Sequence, residues 1–173
     1  MLPLLLAKRR AHAQEDNMKL RTNAFDLWVF HRQDRSPKYL LYHTSQEKAD
    51  KWFHGGRFWQ IPGGFVQEEE ELTDAFVRVM AESGLKPLVV WAAEHTYTYY
   101  NPRRKNIEIV PVFAAEVAGP KDVPISWEHS ESGWFAAEEC AKRLFFRGLI
   151  DGLESTRKYI SEAADAPNNL QIL

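Results

Sequence analysis

The 173-residue chain has few of the features that mark several structural classes. It contains one cysteine, Cys140, so an internal disulfide is excluded and a structural zinc site is not expected. No apolar run approaches the roughly 20 residues that cross a bilayer. The formal net charge is −2, which lacks the basic excess of nucleic-acid-binding proteins. These absences predict a soluble cytoplasmic protein with neither a membrane nor a nucleic acid duplex as partner.

Length and composition fit one globular domain, with 45% apolar, 13% aromatic and 27% charged residues. We expect an N-terminal extension over residues 1–17, a single domain over 18–164 and a flexible tail over 165–173. The apolar run at residues 2–7 precedes its basic residues, which is not the order found in a signal peptide. The sequence is compatible with a homodimer.

Apolar patterning predicts strands and helices without a regular alternation between them. A polar turn at residues 33–37 and a polar connection at 44–56 separate the early elements, and Asn101-Pro102 supplies the turn of a long hairpin. Pro111 inside the second hairpin strand indicates an edge strand or a bulge. We therefore predict an α+β fold with a mixed sheet. The predicted strands cover residues 18–30, 39–43, 88–100 and 106–117, and the later helical patterns cover 136–144 and 145–164.

The most informative stretch covers residues 58–85, where a glycine loop at Pro62-Gly63-Gly64 leads into an amphipathic helix that Gly84 is suited to end. The polar flank of this helix carries acids and one arginine, and a glycine loop before such a helix favours a metal and phosphate site. The alternative is that these acids are solvated and simply favoured by the helix dipole. The apolar stripe comprises Leu72, Ala75, Phe76, Val79 and Met80, and the polar flank comprises Glu71, Asp74, Arg78 and Glu82.

This stretch resembles the Nudix box, G-x5-E-x7-R-E-U-x-E-E-x-G-U, with one residue fewer. Counting from Gly64 places Glu70 and Arg78 on the family's first glutamate and its arginine. The next glutamate position then holds Val79, and the last holds Ser83.

Counting back from Gly84 gives a second register. It keeps Glu82 as the last of the paired glutamates but puts Ala81 on the first. Arg78 then stands on the glutamate that follows the arginine, and Val77 on the arginine itself. Only Glu82 is an acid at a metal-binding position in both registers.

A second resemblance lies in residues 126–135, SWEHSESGWF, which look like the loop before the family's closing helix. Together with Phe58-Trp59-Gln60 they are most similar to the dATP and dihydroneopterin triphosphate pyrophosphohydrolase branch. An acid of this loop helps bind metal or accepts a proton in many family members, which makes Glu128 the candidate here. The alternative is that Glu128 and His129 only begin a capping turn.

The resemblance implies a Nudix α/β/α sandwich and hydrolysis of a diphosphate linkage in a nucleoside triphosphate or related nucleoside diphosphate derivative, with Mg²⁺ or Mn²⁺. The implied catalytic residues are Glu82 and Glu128, and the implied metal ligands are Glu82, Gly63, Glu70 and Glu128. The implied structural ion pair joins Arg78 to Glu70 or Glu71. The candidates for binding the nucleotide-like ligand are Arg57, Trp59, Gly64, Phe65, Tyr100, Arg103 and Lys105.

The incomplete box motivates a second hypothesis, a Nudix-fold module that binds a nucleotide-like ligand as a sensor or regulator without cleaving it. A third, a purely structural partner-binding protein, depends only on exposed aromatic residues. The basic cluster at residues 103–105 is either solvated or in contact with phosphate.

Overall fold

The computed structural model describes residues 18–32 and 36–173. The predicted N-terminal extension and the centre of the predicted turn at 33–37 lie outside these residues. The strands are β1 Lys19–Arg21, β2 Ala24–His31, β3 Lys38–Thr44, β4 Trp59–Gln60, β5 Gly63–Phe65, β6 Val89–Asn101, β7 Asn106–Glu116 and β8 His129–Phe135. The helices are α1 Gln46–Trp52, α2 Leu72–Glu82, α3 Ala137–Arg143 and α4 Arg147–Thr156, with a π-helical turn at Arg157–Ser161 and a 3-10 turn at Asn168–Leu170.

Over the described residues, eight strands form one mixed sheet. Strand β2 runs parallel to β7 and antiparallel to β3 and β5, and β7 pairs with β1 and β6 on its two sides. Strand β3 continues the sheet to β4 and β8. Helices cover both faces, which confirms the predicted α+β sandwich with a mixed sheet. No helix in the described part of the chain is long and apolar enough to cross a bilayer.

The central strand β2 is buried on both faces. On one face of the sheet, Phe25 and Leu27 pack in a cluster with Phe76 of α2. On the other face, Trp28 packs in a cluster with Leu153 of α4. A strand covered by helices on both sides has apolar residues in succession. Asp26, in the middle of this apolar run, is therefore an exception that needs a reason.

The long hairpin of β6 and β7 confirms the prediction, and its turn is capped by Asn101, whose side chain accepts hydrogen bonds from the amides of Arg103 and Arg104. The edge-strand interpretation of Pro111 is wrong, because β7 lies inside the sheet. Strand β1 pairs with β7 only as far as Glu108, and β2 pairs with β7 only from Val112 onward. Pro111 therefore lies between these two paired segments. The irregularity lies in the neighbouring strand β6, where the register shifts between Ala92 and His95.

Two elements differ from the sequence prediction. The polar connection at 44–56 contains helix α1, which Ser45 caps by accepting a hydrogen bond from the amide of Lys48. The segment treated as a loop at 126–135 contains β8, paired antiparallel with β3. Both depend on tertiary partners that local patterning does not reveal.

The C-terminal residues, predicted as a flexible tail, contact the sheet. The amide of Ile172 donates to the carbonyl of Val90 at 2.7 Å, and the amide of Val90 donates to the carbonyl of Leu173 at 2.9 Å. These bonds satisfy backbone groups at the start of β6.

Cys140 lies fully buried in the cluster beneath α3 and α4. Its thiol lies 3.7 Å from the carbonyl of Phe135. Burial raises the pKa of this thiol to about 12, so Cys140 is a packing residue in the folded protein.

Candidate functional site

Gly63 and Gly64 of the predicted glycine loop begin strand β5, which pairs with β2 and lies against α2. A Cβ on Gly64 would stand 2.7 Å from Cγ2 of Val79, closer than side chains approach one another. Glycine at this position therefore lets the chain lie directly against the Val79 side chain of α2. Helix α2 ends at Glu82, and Gly84 follows with φ +65, as the sequence predicts.

Arg78 joins this loop to the helix. Its Nε donates to Oε1 of Glu70 at 2.7 Å, and its second nitrogen donates to Oε2 at 2.8 Å and to the carbonyl of Phe65 at 2.9 Å. Arg78, helped by the amide of Gln67, lowers the pKa of Glu70 to about 2. Glu71 stands at the helix N-cap without a capping hydrogen bond. The pair formed by Glu70 and Arg78 corresponds to the register counted from Gly64.

That register leaves Glu82 as the one acid on the box positions of α2. Its side chain is 68% exposed, and its carboxylate lies 3.7 Å from Arg78. Val79, on the first missing glutamate position, packs in the core. Ser83, on the last, is hydrogen bonded to the hydroxyl of Tyr42. Neither position offers a charged oxygen ligand.

Glu128 and His129 face the loop from the other side. Oε2 of Glu128 lies 2.6 Å from the ammonium of Lys48, a buried residue of α1. The His129 ring stacks on Tyr42 at 4.5 Å, and its Nε2 lies 2.7 Å from Nε2 of Gln60. Burial, with the positive charge of Lys48 second, lowers the pKa of His129 to about 4. His129 is therefore neutral at physiological pH and can accept a hydrogen bond from the Gln60 amide.

The predicted metal-binding carboxylates are paired with cations of the protein. Arg78 pairs with Glu70 and Glu82, and Lys48 pairs with Glu128. In the described ranges no group of three His, Cys, Asp or Glu side chains lies close enough to hold a metal ion. Divalent cations of the Mg²⁺ type need several oxygen ligands, usually with one or two free carboxylates. Each of the predicted carboxylate ligands is thus paired within the protein, and the implied Mg²⁺ or Mn²⁺ stays a prediction.

A cleft of about 1500 Å³ opens over the glycine loop and brings most of the predicted residues together. Glu70, Glu71 and Lys105 do not line it. Arg104 takes the place in the wall that was predicted for Lys105. The predicted residues that line the cleft are Arg57, Trp59, Gly63, Gly64, Phe65, Arg78, Glu82, Tyr100, Arg103 and Glu128.

The cleft wall is positively charged on balance. Two of its three carboxylates, Glu82 and Glu128, are paired with cations of the protein. Arg57 is held in place, since its guanidinium donates to the carbonyl of Thr44 at 3.0 Å and to the hydroxyl of Ser130 at 2.6 Å. Such a wall attracts an anionic ligand. Among the described residues, the charged side chains of the wall are Lys48, Arg57, Arg78, Arg103, Arg104 and Arg143, with Asp26, Glu82 and Glu128.

Sequence reasoning missed Lys48 and Asp26, which both line the cleft. Lys48 lies in a polar segment and offers no signal, because its partner is distant in sequence. Asp26 does offer one, since it is a carboxylate inside the otherwise apolar run AFDLWVF. The hydroxyl of Tyr97, on β6, donates to Oδ2 of Asp26 at 2.5 Å.

Known proteins share this architecture. The family model described as NUDIX domain matches residues 20–151. Comparison with curated protein sequences found no significant match.

Several solved structures share the fold. A binary complex of Ap4A hydrolase from C. elegans is 20% identical, with 79% of this chain and 96% of that chain covered and a TM-score of 0.63. The NUDIX domain of Shewanella oneidensis NrtR, complexed with ADP ribose, is 21% identical, with 90% and 98% covered and a TM-score of 0.64. Dihydroneopterin triphosphate pyrophosphohydrolase from E. coli is 15% identical, with 76% and 91% covered and a TM-score of 0.57. At these identities the likeness concerns the fold.

Proposed function

Because the chain belongs to the NUDIX family, we propose that its cleft binds a nucleotide-like ligand through the ligand's phosphates, as a recognition module without metal-dependent turnover. The observation that carries this proposal is the pairing of the three predicted metal-binding carboxylates, Glu70, Glu82 and Glu128, with cations of the protein itself. Fixed cations supply the positive charge that phosphates need, so the ligand requires no metal to bind.

The arginines suit this role by their chemistry. A guanidinium presents a planar set of donors that matches two phosphate oxygens at once, and such charge-assisted bonds are about twice as strong as neutral ones. Arg57 is positioned by its bonds to Thr44 and Ser130, so little side-chain entropy is lost when it meets a ligand. Arg103 lies on the hairpin tip, with its guanidinium 5.9 Å from the centre of the Trp52 ring.

The relatives support the ligand class. The NrtR domain binds ADP ribose in its solved complex, and the C. elegans relative is named for hydrolysis of Ap4A. Both ligands contain nucleoside phosphates. We therefore take a nucleoside diphosphate derivative as the ligand class for this cleft.

The test is calorimetric titration of the full chain with ADP-ribose, ADP and inorganic pyrophosphate, each with and without a chelator. We expect binding that is unchanged by chelation, weaker at higher salt because exposed charges are screened, and unaccompanied by product. Arg57→Met should weaken pyrophosphate binding. Lys142→Met is the matched control, because Lys142 is exposed and lies outside the cleft wall. Absence of binding by all three ligands would refute the proposal.

A second candidate function, hydrolysis of a diphosphate linkage, depends on one observation. Glu82 lines the cleft with a largely exposed carboxylate, and a magnesium ion can be held by one or two carboxylates together with substrate phosphates and waters. Nucleoside triphosphates, dinucleoside polyphosphates and nucleotide sugars should then release phosphate or pyrophosphate with Mg²⁺ or Mn²⁺. Glu82→Gln should abolish that release while the fold stays intact, and unchanged turnover in this variant would exclude the assignment of Glu82.

A further inference from the structure

Asp26 differs from the other two carboxylates of the cleft. None of the ion pairs among the described residues includes it. Its Oδ2 accepts the hydroxyl proton of Tyr97, and its Oδ1 accepts no hydrogen bond within the described chain. The side chain is half-buried and lines the cleft. A partly desolvated carboxylate with one free oxygen has unused capacity to accept a hydrogen bond.

Two glycines make room for this pair. A Cβ on Gly63 would stand 2.5 Å from Oδ1 of Asp26, and a Cβ on Gly148 would stand 2.5 Å from the Tyr97 ring. Gly63 belongs to the loop and Gly148 to the first turn of α4. Two separate elements therefore omit a side chain where Asp26 and Tyr97 are placed.

Flat apolar surfaces lie beside the pair. Gly148 lies against the Tyr97 ring. Phe146, two residues before Gly148, lines the same cleft. The centre of its ring lies 5.0 Å from the centre of the Phe58 ring. Tyr99 also lines the cleft, with its ring 6.3 Å from that of Tyr97. Aromatic side chains together with a placed polar group are the usual surroundings of a planar heterocycle.

We propose that Asp26, oriented by Tyr97, binds the amino group of the ligand's nucleobase. An exocyclic amine donates to the free Oδ1, and the phosphates then lie toward the cations of the wall. The ligand class is an amino-bearing nucleoside diphosphate such as an adenosine derivative. This inference depends on the proposed nucleotide-binding function.

The carboxyl group of Asp26 can bind either the amino group or a ring nitrogen of a nucleobase, depending on its protonation. Burial raises its pKa to about 6, although the Tyr97 hydroxyl opposes this rise. The described titratable groups that act on the carboxyl are Tyr97 and Tyr99, both with a raised pKa and both neutral. The ionised form accepts from an amino group, and the protonated form can also donate to a ring nitrogen.

The experiment titrates the full chain with ADP, with inosine 5′-diphosphate, which carries a carbonyl in place of the amino group, with 2′-deoxy-ADP and with inorganic pyrophosphate. We expect ADP to bind about tenfold more tightly than inosine diphosphate, the difference of one charge-assisted hydrogen bond. Asp26→Leu should remove this preference. Tyr97→Phe should reduce the preference for ADP, because it removes the hydroxyl that orients Asp26. The cationic side chains of the cleft wall are the same in this variant.

The outcomes separate the two proposals. Equal affinities for ADP and inosine diphosphate, or a preference that survives Asp26→Leu, overturn this inference while phosphate binding stands. Weaker binding of 2′-deoxy-ADP alone would assign the carboxylate to a ribose hydroxyl and likewise overturn it. Absence of pyrophosphate and nucleotide binding by the wild-type chain overturns the proposed function itself. Thermal melting checks the fold, and Asp26→Ala, which has no side-chain oxygen, replaces the leucine variant if that variant does not fold.

Discussion

The ammonium of Lys48 lies 2.6 Å from Oε2 of Glu128, although 80 residues separate them in the sequence. Lys48 is buried and Glu128 is about one-third exposed. The pair stands between helix α1 and the start of β8, within the cleft wall. It neutralises the one acid outside the box that the resemblance assigned to metal binding, and it ties up one cation that an anionic ligand can use.

Glu128→Gln should therefore increase the affinity for inorganic pyrophosphate, by roughly three- to tenfold, because Lys48 is released from its partner. Lys48→Met should decrease it. Isothermal titration with chelator present measures both, and Glu138→Gln is a control, since Glu138 is 69% exposed and neither it nor its partner Arg157 lines the wall. A loss of affinity in Glu128→Gln, joined by a loss of metal-dependent turnover, would instead give Glu128 the role that the family resemblance implies.

Gly64→Ala should destabilise the protein by about 1–3 kcal/mol, because the added methyl overlaps Cγ2 of Val79 in a packed core. Val79→Ala removes the obstructing methyl. Urea unfolding of both single variants and the double variant should show that Gly64→Ala costs less in the Val79→Ala background. Strictly additive costs would mean that the strand and the helix separate to admit the methyl.

The stability of the protein should depend on the protonation of Asp26. The pKa of this group rises from 3.8 to about 6 on folding, so the folded state binds its proton more tightly than the unfolded state. The contribution of Asp26 to stability is complete below pH 3.8 and is lost as the pH rises to about 6, up to ~3 kcal/mol. Denaturant unfolding of wild type and Asp26→Asn between pH 4 and pH 7 measures this.

The comparison with the asparagine variant isolates one group. Other carboxylates titrate in the same range but are common to both proteins, so only the difference in unfolding free energy matters. That difference should move in favour of Asp26→Asn as the pH rises. A difference that stays constant from pH 4 to pH 7 would show that Asp26 is solvated in the folded protein.

Removal of residues 171–173 should lower the unfolding free energy by about 1–3 kcal/mol, because the backbone hydrogen bonds to Val90 are lost. Leu173→Ala keeps the backbone and should change little, because that side chain is 40% exposed. Thermal unfolding of the two proteins gives the comparison. Equal stability of the truncated and complete chains would support the flexible tail that the sequence predicts.

The local parts of this fold could be predicted from the sequence. The glycine loop, helix α2 and its end at Gly84 depend on neighbours within a few residues, and so does the turn at Asn101. Helix α1 and strand β8 could not be predicted, because α1 is short and β8 depends on pairing with β3. A seven-residue polar helix is not stable by itself and needs its tertiary contacts.

The site shows the same division. The sequence identifies residues near the loop, such as Arg78 and Glu82, since a spacing pattern names them. It does not find Lys48, because an ion pair across 80 residues leaves no local trace. Asp26 is an intermediate case, in which an acid inside an apolar strand signals an unusual environment, but its partner Tyr97 is 71 residues away.

Because Cys140 is buried, its reaction with a thiol reagent reports the opening of the folded protein. Disulfide reagents react with the thiolate form of cysteine. The Cys140 thiol is inaccessible and has a pKa of about 12, so almost no thiolate is present in the folded protein near neutral pH. Modification by such a reagent must therefore wait for the core beneath α3 and α4 to open. The labelling rate of this one sulfur then measures the population of open molecules, without any introduced probe, as ligands or substitutions shift the equilibrium.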